Sequence, residues 1–415
     1  MLINRVAQKL LAAPELAPVL HELDAGHDAT LGVPQSARSL LVAALWARDP
    51  RPCLLVVSGE EAADRTARAL AAWLGMDVAC RYPDRRDLPW ADKPADDAVV
   101  GARCRAVARL AAGERCLVVA SARALLRRVP PVGSGYFASS TFGVGDEVDF
   151  ADVPRLLVGM GYTDAGDASD VTVPGTFCVH GDAVDVFPAQ ATSPVRLEFF
   201  GDEVDRVRRM VPSTGQTIGE LDSVTVSPCR EIALTDQTVA RAMRALYNRA
   251  QNNSRVAADL EMLEARAAEP TLDRSLPELY GGSSSPIDHM SADALVVLAE
   301  PRALFDDCMH ATDDVESAAR TAHASTQGLF TNPQQMDFGK QQRLSFSSMA
   351  RVGGQADAEL DVRQPSIAGS DAKLLGRMRQ LVNDRASIVF AVPDRGAREA
   401  LELMTDERFH GEPVC

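Results

Sequence analysis

The sequence predicts an α/β protein: a parallel sheet covered by helices on both faces, with a small α+β domain inserted into it. Three observations carry this. Apolar runs without alternation, Cys53–Ser58, Cys116–Ala120 and Ala294–Ala299, are separated by helical patterns, as in strands buried on both sides. Between them, residues 131–230 switch to short strands with period-two alternation and one helix. The last apolar run lies beyond that segment, where it can return to the sheet begun in the first 130 residues.

In chain order, Leu2–Leu20 reads as a helix, Ser39–Ala47 as a second, Ala62–Leu74 as a third and Ala98–Ala112 as a fourth. Pro130-Pro131 and Gly133-Ser-Gly135 break this pattern. Within 131–230 the helix is Asp152–Met160. Residues 231–266 are alanine-rich and helical, and Glu269–Pro286 is Pro/Gly/Ser punctuation. Residues 321–371 are expected to be a linker, since 331–371 are rich in Gln, Ser and Gly with little apolar periodicity. Asp371–Asp384 reads as helix, Ser387–Val392 as strand and Arg395–Leu403 as helix. The expected domains are therefore 1–130 with 231–320, an insert at 131–230, the linker, and the start of a further α/β unit at 372–415. A unit that stops so early cannot close its own core, so a piece of a longer polypeptide is expected.

Composition narrows the function. The chain has 415 residues, 46% hydrophobic and 24% charged, and no apolar run long enough to span a bilayer. No basic start precedes an apolar block, so a cytoplasmic protein is expected. Eight cysteines are scattered without a C-x-x-C pair, several in apolar runs, which favours buried thiols over disulfides or zinc. The formal charge of −15 argues against direct grip on nucleic acid. Residues 131–230 carry six Arg, no Lys and fifteen acidic residues, so a protein partner suits this segment better than DNA.

Two motifs have the outline of a nucleotide site with key atoms missing. Gly32-Val-Pro-Gln-Ser-Ala37-Arg38-Ser39 has phosphate-loop spacing. Ala37 replaces the second glycine, Arg38 replaces the compact lysine, and Pro34 removes an amide donor. Leu295–Leu298 ends in Ala299-Glu300, where a motor would carry Asp-Glu and hold Mg²⁺ with the Asp. Each alone also reads as an ordinary junction. Together, in this order, they suggest a nucleotide fold that has lost its nucleotide, so no cofactor and no catalytic residue is expected.

The insert holds Gly175–Pro188 and Pro194–Val204. In the second stretch Val195, Leu197 and Phe199 share one face, and Arg196, Glu198 and Phe200 the other. Phe200 on a polar face either tucks under a loop or meets a partner. His180 reads as a lone histidine at a bulge. The cluster Asp182, Asp185, Asp202, Glu203 and Asp205 reads either as a cation site or, more simply, as strand-end solvation.

These stretches resemble the middle domain of the bacterial transcription-repair coupling factor family, Mfd, a pattern shared in part with the excinuclease subunit UvrB. Phe142–Asp149, Leu157–Tyr162, Asp87–Trp90, Leu276–Tyr280 and Ala294–Pro301 agree with it. The resemblance implies a degenerate RecA-like (P-loop NTPase-type) domain with an inserted UvrA-binding domain. Such a module recruits UvrA where RNA polymerase has stalled, does not hydrolyse ATP, and is implicated in restraining the motor through an intramolecular contact. ATP, Mg²⁺, DNA and RNA polymerase would belong to regions beyond Cys415. In the family UvrA is contacted by an arginine in the first strand and by an Arg and a Phe four apart in the second. Arg196 and Phe200 match the latter pair, while the first position is His180, and Asp182 stands where glycine is usual. The alternatives are a UvrB-type nucleotide-dependent subunit and, third, direct DNA binding.

Overall fold

A computed structural model describes residues 2–91, 96–167, 171–189, 191–265, 270–335, 341–348, 356–360 and 371–383, with Gly396, Glu399 and Glu402. The chain opens with α1 (Leu2–Leu11) and α2 (Ala17–Asp24), not one helix. Pro14 is the cause: it has no N–H, and it pushes Ala13 to extended backbone (ψ 127°). There follow β1 (Ala29–Gly32), α3 (Gln35–Arg48), β2 (Cys53–Val57), α4 (Glu60–Leu74), β3 (Ala79–Tyr82), α5 (Asp97–Ala111) and β4 (Leu117–Ser121). Asp96 caps α5 by accepting from the Ala98 amide.

The chain then enters the insert: β5 (Ser140–Gly143), α6 (Val153–Gly159), β6 (Thr163–Asp164), β7 (Thr176–His180), β8 (Ala183–Val186), β9 (Val195–Phe200), β10 (Glu203–Met210), β11 (Thr217–Leu221) and β12 (Ser223–Val226). It leaves through α7 (Asp236–Ala250), α8 (Ser254–Glu264) and α9 (Leu276–Tyr280). Beyond these lie β13 (Leu295–Ala299), α10 (Pro301–Thr321), β14 (Gln342–Ser347), β15 (Ala358–Glu359) and α11 (Asp371–Asn383).

The large sheet runs β15-β1-β14-β13-β2-β4-β3, with parallel pairing throughout. Period two sorts each central strand between two cores. From β2, Cys53, Leu55 and Val57 pack with α1 to α4, while Leu54 and Val56 pack with α5 and α10. That is why these strands read as unbroken apolar runs. β13 sits between β2 and β14, so the chain that leaves this sheet after β4 rejoins it on the far side of the insert.

One expectation fails here. Gln342–Ser347, placed in a linker by composition, is the strand between β1 and β13. Its polar residues are half-buried, but Leu344 and Phe346 are fully buried on the α1–α4 side. Two buried side chains were enough to pin the strand, and four polar neighbours hid them. The expected strand Ser387–Val392 lies outside the described residues, as does most of the expected helix Arg395–Leu403.

The insert has its own core. Its six-stranded sheet, β11-β10-β9-β8-β7-β6, is antiparallel except for β6–β7, and β12 pairs with β5 alongside. Val184, Val186, Leu197, Phe199 and Val207 pack against Val153 and Leu157 of α6. The opposite face carries Arg196, Glu198 and Phe200.

Where the chain leaves the insert, Glu231 enters a buried ion network. It accepts from Arg103 Nε at 2.6 Å and from Arg85 Nη1 at 2.8 Å. Arg85 also grips Asp87 with two bonds of 2.9 Å and meets Asp273 at 2.5 Å. Arg103, wholly buried, lies over the Tyr82 ring and donates to the Pro83 and Ala124 carbonyls. Burial pushes the Glu231 carboxyl up, but the two guanidiniums outweigh it and hold the group down at about 2. Segments on both sides of the insert are thus tied to its exit residue.

Candidate functional site

The charged face of the insert's sheet is built around Asp185. This carboxylate has no exposure, and it pairs across strands with Arg196. Arg196 donates Nε to Oδ1 at 2.7 Å and Nη2 to Oδ2 at 2.8 Å, a fork-on-carboxylate geometry. The bonds to Asp185 raise the Arg196 pKa further above its ordinary value. His180 Nε2 lies 3.0 Å from Asp185 Oδ2, close enough to pair when protonated but out of line for a hydrogen bond. Next along the face, Arg208 Nη1 sits 3.3 Å from Glu198. Arg196 therefore spends one edge of its guanidinium on its own domain. It is a structural residue whatever else it touches.

Phe200 differs. It is the last residue of β9 and is 82% exposed, so it does not tuck under a loop. A two-residue turn, Gly201-Asp202, carries the chain into β10, with Gly201 at φ 65°. His180 and Gly181-Asp182 form the matching turn between β7 and β8, at the same end of the sheet. His180 is thus a strand-end residue and not, as expected, one at a bulge. The structure brings His180, Arg196 and Phe200 onto one face. The acidic cluster separates: Asp185 is buried under Arg196, while Asp182, Asp202, Glu203 and Asp205 lie at the surface. Among the described residues no group of side chains has the arrangement of a metal site.

This domain has a known counterpart. Residues 141–231 match the UvrB interaction domain. The resemblance drawn from residues 175–204 is thereby shown. The matched residues span the separate sheet and core of the insert, and relatives extend the likeness beyond it. The chain is 37% identical to the transcription-repair-coupling factor of Myxococcus xanthus over 234 residues, 54% of this chain and 19% of that protein. It is 30% identical to that of Mycobacterium bovis over 310 residues, 71% of this chain and 25% of that protein. With the Bacillus subtilis factor it shares 28% over 235 residues. The chain thus corresponds to about a fifth to a quarter of the length of these relatives.

The two altered nucleotide motifs also meet in space. Gly32 ends β1, only Val33 and Pro34 follow, and α3 begins at Gln35. The eight-residue match is therefore mostly helix and does not wrap as a loop. Ala37 faces the core, and Gly32 is a strand residue closed over by Glu359. Arg38 folds back, donating to the Val33 carbonyl at 3.2 and 3.3 Å, and pairs with Glu300. Glu300 also accepts the Ser348 amide at 2.7 Å and holds a left-handed backbone, φ 61°. Burial pushes its carboxyl up, while Ser348 and Arg38 more than reverse this and leave it lowered. Around the pair lies a cleft of about 470 Å³ at the carboxyl ends of β2 and β13, lined by Ser39, Val57, Ala299 and Arg302 among others. Ala299 offers no carboxylate for a cation, and Glu300 is already committed to Arg38.

Sequence reasoning missed both partnerships and the Glu231 network. Asp185 and Arg196 could have been paired from the antiparallel register once the β8–β9 hairpin was drawn. Arg38 and Glu300 are 262 residues apart, and nothing local links them.

Proposed function

We propose that this chain is the UvrA-recruiting, non-catalytic module of a transcription-repair coupling factor, and that it docks UvrA through the Phe200 end of the insert. The observation that carries the reading is the fully presented Phe200 ring on a domain matching the UvrB interaction domain. A lone aromatic anchor beside a fixed Arg–Asp pair is the kind of feature that concentrates binding energy. On this reading Arg196 and His180 border the contact, with Arg196 offering only its unspent edge. His180 cannot supply the planar, permanently charged fork that an arginine would.

In this proposal the parallel-sheet body is a degenerate RecA-like domain that supports the insert. The Arg38–Glu300 pair supports a cleft that does not turn over ATP, because it consumes the cation and the carboxylate that nucleotide and Mg²⁺ would need. ATP and Mg²⁺ would act in a motor elsewhere in the full-length factor. RNA polymerase and DNA would likewise be engaged by other regions, and a contact between this module and those regions would restrain the motor. Among the described residues no helix is long and apolar enough to cross a membrane. The size of the cleft favours the rival reading, a UvrB-type nucleotide-dependent subunit. Two experiments separate them. Sedimentation of the chain with purified UvrA should show a stable complex, and its absence at micromolar concentrations would overturn the proposal. Titration with ATP and Mg²⁺ should show no saturable binding. Micromolar binding abolished by Arg38→Ala would favour the rival.

A further inference from the structure

The surroundings of Phe200 specify the chemistry of whatever covers it. Three loops meet at this end of the sheet. The β7–β8 and β9–β10 turns lie side by side, joined by the Phe199 amide donating to the Asp182 carbonyl at 2.8 Å. The loop after β5 lies against the start of β10, where the Gly145 amide bonds the Val204 carbonyl at 2.8 Å and the Val148 amide bonds the Asp202 carbonyl at 2.7 Å. Residues 143–149, 180–183 and 198–205 carry eight carboxylates and no Lys or Arg.

Some of these carboxylates are occupied within the fold. Asp146 accepts the Gly143 amide, Asp149 the Ala151 amide and Asp202 the Phe150 amide. Glu198 and Asp205 lie near Arg208 and Arg206. Asp182, Glu147 and Glu203 are exposed and meet no cation among the described residues. Glu147 and Glu203 moreover face each other directly across an isolated β-bridge, and Glu203 in turn pairs with Phe200. Like charges opposed on neighbouring strands cost stability unless something relieves them. Val144, half exposed, is the other apolar side chain of this loop that faces water.

From the collar of unpaired carboxylates around one exposed ring, we infer that the partner's docking surface is a protein surface with an apolar pocket ringed by Arg or Lys. The pocket takes Phe200, and the basic ring relieves the Glu147–Glu203 repulsion. The inference rests on the docking role proposed for Phe200 and adds the partner's chemistry to it. The collar's sign favours a basic protein surface over a nucleic acid as occupant. Because the collar is exposed and the ring small, the charges act mainly on the association rate, and the ring on the lifetime of the complex.

The test is stopped-flow or surface-based kinetics of the whole chain with purified UvrA. The variants are Glu147→Gln/Glu203→Gln, the charge-reversed Glu147→Lys/Glu203→Lys, and Phe200→Ala. The neutral pair should slow association roughly threefold to tenfold, and the reversed pair more, with dissociation little changed. Wild-type association should fall as salt rises, with the slope flattened in the neutral pair. Phe200→Ala should instead speed dissociation. If neither collar variant nor salt alters association while Phe200→Ala still weakens the complex, the basic-ring inference is wrong and the Phe200 surface stands. Faster association of the lysine variant would also overturn it. If Phe200→Ala too changes nothing, the docking reading itself fails.

Discussion

Removing Arg196 should damage the insert before it damages binding. Asp185 is fully buried, and Arg196 supplies both of its short hydrogen bonds and its neighbouring charge. Arg196→Ala strands that carboxylate in the sheet. Losing one partner of a buried pair costs about 3–5 kcal/mol. Arg196 is itself a quarter exposed, and water can enter the space it leaves, so about 2–4 kcal/mol is the reasoned range. Hydrogen exchange is the suitable assay, because all three tryptophans (46, 73 and 90) lie outside the insert. Amides of β8 and β9 should lose protection by the stated amount while β2 and β13 keep theirs. The double variant Asp185→Asn/Arg196→Met should recover most of the loss, since no buried charge remains. Unchanged protection in Arg196→Ala, or no recovery in the double variant, would show that the Asp185–Arg196 pair does not hold these strands together.

Other outcomes follow from the same geometry. Leu344→Ala should cost about 2–5 kcal/mol in urea unfolding if β14 is a central strand, and far less if the segment were a linker. Glu231, held at about 2 against an ordinary value of 4.5, contributes stability that is present above pH 4.5 and lost as pH falls toward 2. Urea midpoints of the wild type should therefore drop across that window, and those of Glu231→Gln, already lower at pH 7, should drop less. Arg38→Ala should lower stability by about 1 kcal/mol, because Glu300 keeps the Ser348 amide, and added ATP with Mg²⁺ should not restore it in a thermal-shift measurement.

The readable parts of this fold are those in which local pattern and burial coincide. β2, β4 and β13 are apolar throughout because both faces are covered, and β9 alternates because one face is. β1 and β3 have four residues each, too few for a period to register. β14 hides two core residues in a Gln/Ser-rich stretch, so composition misled where alternation, Leu344 and Phe346, was correct. The phosphate-loop spacing was present in sequence, but a two-residue connector and an immediate helix start left no loop to wrap an anion. Of the site, the face of Phe200 was legible and its exposure was not. The partners of Arg196, Arg38 and Glu231 are long-range and depend on the assembled topology.

Whether Phe200 anchors UvrA on this chain is decided by calorimetric titration of UvrA into the wild type and into Phe200→Ala. The ring packs on little of its own domain, so the variant should unfold within about 0.5 kcal/mol of wild type. Its affinity for UvrA should fall by about 1–3 kcal/mol, roughly tenfold to a hundredfold. Equal affinities for the two proteins, with the variant shown to be folded, would contradict the claim.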